Sequence, residues 1–314
     1  MKFVQAVKTT GKLLIASFKG FMNDRGLKLS AALAYYTIFS LAPLLLLIIS
    51  LAGIFFGQEA IQGRVFAEIH GLIGNEAAQQ VQDMIRNIEL SGKSTIAFIF
   101  GIITLLIGAT SIFGEIQDSI NLIWKVRAKP KRGWVKLLKD RLLSSSLIVV
   151  LGFLLVVSLL VNGLILTLST QLQHYFPRLA VFIVNAVNIA LSFLVITLLF
   201  GVIFKALPDV KIRWKDVRTG AFFTACLFMA GRFAIGLYIQ ATGTGSAFGA
   251  AGAVVIILVW VYYTAAILYF GAEFTQVYAD YRGKGIKPAE YAVHIEQQET
   301  EQEVDVLPPQ NNIQ

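Results

Sequence analysis

Charge is scarce in this chain. Asp, Glu, Lys and Arg make up 15% of its 314 residues, against about a quarter in a soluble domain. Cysteine is nearly absent: Cys226 stands alone, which rules out an internal disulfide and argues against a thiolate metal site. The three histidines, His70, His174 and His294, are scattered. There is no Walker loop, nucleophile elbow or His-Glu-x-x-His helix. Metal-assisted hydrolysis needs several ligands converging on one ion, so the expectation is no enzyme, no metal and no cofactor. Segments of about ten residues with alternating polarity are missing too, which sets aside a β-barrel. The first 28 residues lack the apolar core and small-residue cleavage site of a signal peptide.

Long apolar runs are abundant. Hydrophobic residues reach 56% and mean hydropathy is +0.68. The pattern predicts an all-α, polytopic membrane protein with six transmembrane helices plus amphipathic helices outside the membrane. The organising stretch is Thr219 to Phe274, where 40 consecutive residues between Arg232 and Glu273 carry no charge. About 20 residues cross the hydrocarbon once, so this stretch reads as two helices turning at Gln240 to Ser246.

Residues 1–28 place Phe3, Val7, Leu14, Phe18 and Phe21 at helical spacing among Lys2, Lys8, Lys12, Lys19, Arg25 and Lys28. This predicts a basic amphipathic helix, either lying on an anionic leaflet or packed in solvent against the bundle. The membrane domain is expected over 29–274. Pro43 kinks its first helix, because proline frees a backbone carbonyl there. Within it, 57–93 reads as an external amphipathic segment with five acids and three bases. Residues 275–314 form a tail, polar and disordered after about 292.

Charge asymmetry sets the orientation. Of the 27 Lys and Arg, 22 fall on the side of the N-terminus, the loops after the second and fourth helices, and the C-terminus. Four fall on the other side, and Arg232 lies in the membrane. By the positive-inside rule both termini face the cytoplasm of an inner-membrane protein. The same bias accounts for the pI of about 9.5 without a nucleic-acid partner. The partners it implies are the bilayer and anionic lipid headgroups at the basic segments.

Some polar residues stand out within apolar runs. Arg232 costs roughly 2.5–3.5 kcal/mol at such a depth, so it should face the bundle or water, with Asn162, Asn185 and Asn188 as candidate partners. It either contacts an anion in a cavity or is satisfied structurally by amides. Glu115, Asp118 and Glu273 form a candidate acidic cluster for protons or cations, or else pair with loop lysines and arginines. Gly245, Gly249 and Ala253, extended by Gly252, form a small-residue ridge for close helix packing or a hinge.

Taken together the residues resemble the YihY/virulence factor BrkB family of bacterial inner-membrane proteins. The likeness runs from about 20 to 280 and rests on Ala31-Ala32-Leu33-Ala34-Tyr35-Tyr36-Thr37 with Phe39-Ser40 and Pro43. Further along it rests on Gln117-Asp118 with Asn121 and Ile123-Trp124, then Leu207-Pro208, Trp214 and Gly220. Gly249, Gly252-Ala253, Trp260 and Gly271-Ala272-Glu273 complete it. Glu115 and Arg232 fall outside this pattern. The resemblance implies a six-helix inner-membrane protein that transports an envelope component. Some members once carried the label ribonuclease BN, a tRNA-processing enzyme, and the missing metal ligands argue against that activity here. The first reading is therefore a transporter or lipid translocase. The alternative is a non-catalytic envelope scaffold whose partner is a second copy or another envelope protein.

Overall fold

A computed structural model describes residues 2–39, 111–129, 177–242, 252–283 and 285–296. Pro43, Asn162, Gly245, Gly249, the 57–93 segment and the chain beyond Glu296 lie outside the described residues. Among those described, the body is mostly helical. Helix α1 spans Lys2–Asn23, α2 residues 26–39 and α3 residues 111–123. Helices α4 Pro177–Ala206, α5 Trp214–Thr242 and α6 Gly252–Tyr281 follow. Within them, Ala186–Ala206 and Ile257–Tyr281 are long and apolar enough to cross a membrane.

The helix ends follow local chemistry. Pro177 opens α4, where its missing N–H leaves no bond unmade. Asp216 sits in the first turn of α5, favoured by the helix dipole, and is held by Arg213 Nε at 3.0 Å. The amphipathic N-terminal helix ends sooner than residue 28. Arg25 adopts a positive φ of 55°, and the Phe21 ring packs over Gly26, where a Cβ would collide with it. The chain therefore breaks at Asp24–Arg25 and restarts as α2. On α1, Ser17 and Phe21 are buried, Phe21 edge-on to Phe270 at 5.9 Å, while Ile15, Phe18 and Met22 stay exposed.

Two short antiparallel ribbons qualify the all-α expectation. Strand β1, Val126–Ala128, pairs with β4, Ala292–His294, in the register Val126 to His294. Strand β2, Val210–Lys211, pairs with β3, Lys287–Pro288. Strands of two or three residues are too short to show a two-residue period, so the sequence offers no signal for them. The ribbons extend order to Glu296, past the tail boundary near 292, and α6 itself continues to Tyr281.

Neighbouring helices approach closely at one crossing. Gly220 and Thr224 on α5 face Gly271 and Thr275 on α6, and each glycine leaves room for the opposite threonine. A Cβ on Gly220 would overlap Thr275, and one on Gly271 would overlap Thr224. Each threonine hydroxyl donates to its own helix's carbonyl four residues back, Thr224 to Gly220 and Thr275 to Gly271, both at 2.7 Å. No hydroxyl is left unpaired at the contact. This interlocked Gly-x-x-x-Thr pair is a small-residue packing surface that the ridge expected at Gly245–Gly252 did not anticipate. Gly252 itself begins α6.

Candidate functional site

The described segments 124–129, 207–213 and 285–296 meet through the two ribbons, beside a core of Ile120, Ile123, Trp124, Phe204, Leu207, Val217 and Tyr269, each 3% exposed or less. Trp124 Nε1 donates to the Ala272 carbonyl at 3.0 Å. Gln117 and Asn121 are four apart on α3 and so share a face. Both reach Asp209, the residue after Leu207-Pro208. Asn121 Nδ2 donates to Asp209 Oδ2 at 2.9 Å and Gln117 Nε2 to Oδ1 at 3.3 Å. The Asp209 N–H donates back to Asn121 Oδ1 at 2.8 Å, and its carbonyl accepts from Ala289 N–H at 3.0 Å. Asp209 is 2% exposed. A carboxylate so buried is tolerable because each oxygen is hydrogen-bonded. The arrangement is a latch that joins α3, the α4–α5 turn and the tail.

The acidic candidates divide between two places. Glu115 accepts from the Ser119 hydroxyl at 3.3 Å and lies beside Tyr269. Asp118 is exposed at the rim of a cavity of about 740 Å³, with Asp24, Asn121, Lys125, Arg127 and His294 also on its wall. Glu273 is buried, and its neighbours are Asp24 and Lys125. Asp24 comes from the α1–α2 turn, so sequence spacing gave no means of placing it there.

Arg232 is found with part of its expected set. A second cavity, about 480 Å³, is lined by Asn188, Ser192, Met229, Arg232 and Phe233 among others. Asn188 and Arg232 each stand 18 residues from the α4–α5 turn, counted from Ala206 and Trp214. Antiparallel helices bring such positions to the same level, about 27 Å along the axis. Asn188 Oδ1 is buried without a hydrogen-bond partner. Asn185 lies in α4, three residues earlier, and its side chain is outside the described residues. Among the described residues, no three His, Cys, Asp or Glu converge as for a metal ion.

A mostly helical body with two bilayer-length apolar helices, polar groups gathered at the loops and an arginine far along an apolar hairpin defines an integral membrane protein. The chain belongs to the Virulence factor BrkB family, whose model matches residues 17–295. Among curated relatives, it is 29% identical over 262 residues to a UPF0761 membrane protein of Azotobacter vinelandii, covering 82% of this chain and 60% of that one. With the UPF0761 membrane protein of Tolumonas auensis the identity is 28% over 270 residues, 83% of each chain. A Rhodospirillum centenum relative is 25% identical over 265 residues, of which this chain spans 56%. No solved structure matches this chain.

Several of the described residues that carried the resemblance are far apart in sequence yet take part in these contacts between segments. Gln117 and Asn121 bind Asp209, Trp124 reaches Ala272, and Gly220 and Gly271 form the crossing. Asp209 itself, and the two threonines, were missed. The signal available was the pairing of two Gly-x-x-x-Thr repeats on facing helices.

Proposed function

We propose that this protein is a multi-pass inner-membrane transporter or translocase of an anionic envelope component, with the Arg232 cavity as its anion contact and both termini in the cytoplasm. The observation that carries this reading is that Arg232 and Asn188, whose Oδ1 is unpartnered, line one cavity. Arg232 lies about 20 Å beyond Arg218 along α5, past the middle of a hydrocarbon core of about 30 Å. A guanidinium there matches phosphate or carboxylate with two parallel hydrogen bonds. Among the described residues the cavity rim is apolar and exposed at Ile189, Phe233 and Leu237, the surface an acyl chain would meet. The reading assigns no covalent chemistry to the protein.

The test is lipid movement. The full chain reconstituted in liposomes with a headgroup-labelled anionic phospholipid should speed the label's accessibility to an impermeant quencher. Arg232→Gln should lose most of that rate while keeping the parental melting temperature, with Arg232→Lys intermediate. A loss of rate wholly accounted for by lost stability would leave Arg232 structural and sink the reading. The exposed apolar stripe Ile15, Phe18 and Met22 on α1 favours a second reading, an envelope scaffold. It would be supported if the parent moves no lipid and α1 variants lose association with other envelope proteins.

A further inference from the structure

The larger cavity has a feature that the Asp209 latch leaves unused. Gly20 lies in the last turn of α1 and Asp24 just beyond its end, with the Asp24 N–H donating to the Gly20 carbonyl at 2.8 Å. The Glu273 carboxyl rests on Gly20, where a Cβ would stand 2.8 Å from both of its oxygens. The Asp24 carboxyl is close enough to act on that of Glu273, and it also lines the cavity. Glu273 is 3% exposed, and its Oε1 has no hydrogen-bond partner. A buried carboxyl with a free oxygen thus neighbours a second carboxyl that is open to water.

Ionised carboxylates only accept hydrogen bonds. Two of them close together repel unless something positive lies between them. We propose that Asp24 and Glu273 form a proton-binding pair that exchanges with water through the 740 Å³ cavity. A hard divalent cation would need about six oxygen ligands, and no third carboxylate or histidine joins this pair among the described residues. The gap at Gly20 is filled by the Glu273 carboxyl itself, and Lys125 already contributes one positive charge beside it. A proton fits the space that remains. Other charged groups facing the site are Asp118, Arg127, His294 and Glu296 on the cavity wall, with Glu115 near Tyr269. The site is separate from the Arg232 cavity, and its test needs no transport activity.

Infrared difference spectra of the full chain in nanodiscs, recorded across a pH series, read the site directly. The parent should show the C=O stretch of a protonated carboxyl that titrates. Glu273→Gln should abolish that band, Asp24→Asn should shift its midpoint or remove it, and Lys125→Ala should move the midpoint by about one pH unit or more. Absence of any titrating band in the parent would overturn the proposal. So would a band unchanged in both carboxyl variants, or one set by sodium concentration rather than pH. Should Glu273→Gln fail to fold, Asp24→Asn decides alone: a parental band overturns the site, and a lost or shifted band supports it.

Discussion

The Asp209 latch and the far stretch of the α4–α5 hairpin handle buried polarity in opposite ways. At the latch every oxygen of Asp209 has a partner, and three chain segments are tied through that one residue. At the Arg232 level a buried amide oxygen is unpaired, in a cavity whose lining includes the exposed apolar Ile189, Phe233 and Leu237. A saturated network resists change, because each group lost strands another at roughly 1–3 kcal/mol. An unsaturated one keeps free hydrogen-bonding capacity that an incoming group can meet. The contrast teaches where to look for stability and where for ligand.

The comparison is broken most severely at the helix crossing. Gly271→Leu forces a side chain into Thr224, and α5 and α6 must separate, at about 3 kcal/mol from overpacking. Folded yield in detergent should collapse, and a parental melting temperature would show that the crossing is not close-packed. Asn121→Leu comes next. It removes two hydrogen bonds to Asp209 and leaves a buried carboxylate underpaired, at roughly 1.5–3 kcal/mol for bonds to a charged group. Thermal melting should fall by several degrees, and Asp209→Asn should fall less because the amide keeps part of the network.

Arg232→Gln sharpens the comparison from the other side: stability should change little, while rescue of a strain lacking the protein should be lost. A melting temperature that drops as far as in Asn121→Leu would make the two regions alike. The smallest effect is expected at Lys211 and Glu290, which pair at 2.6 Å on the β2–β3 ribbon with both side chains largely exposed. The Lys211 hydrogen bond and charge hold the Glu290 carboxyl below the usual glutamate range. Any stabilisation is therefore present above the ordinary glutamate pKa and is lost as pH falls through the lowered one. For so exposed a pair it is screened by solvent, and Lys211→Ala should leave the melting curve unchanged at neutral pH.

Composition and charge placement alone determined that this is a helical membrane protein, because hydrocarbon admits only backbones that satisfy themselves and a run such as 233–272 has no other use. They also singled out Arg232 and Asn188, since a polar residue in an apolar run is visible without a fold. Depth could be counted along each helix, and that is why the two were expected to meet. Glu273 was equally visible, but its neighbour was not. Asp24 comes near it only because α1 folds back on α6 and Gly20 leaves the space, an approach between residues about 250 positions apart. Asp209 was hidden for a similar reason: a lone aspartate after Leu-Pro looks like any loop residue until α3 lays Gln117 and Asn121 against it. The ribbons that pin the tail were beyond reach as well, because two-residue strands exist only by virtue of their partners. Periodic burial in a single helix is written locally, whereas hydrogen-bond partners between segments are decided by how the helices cross.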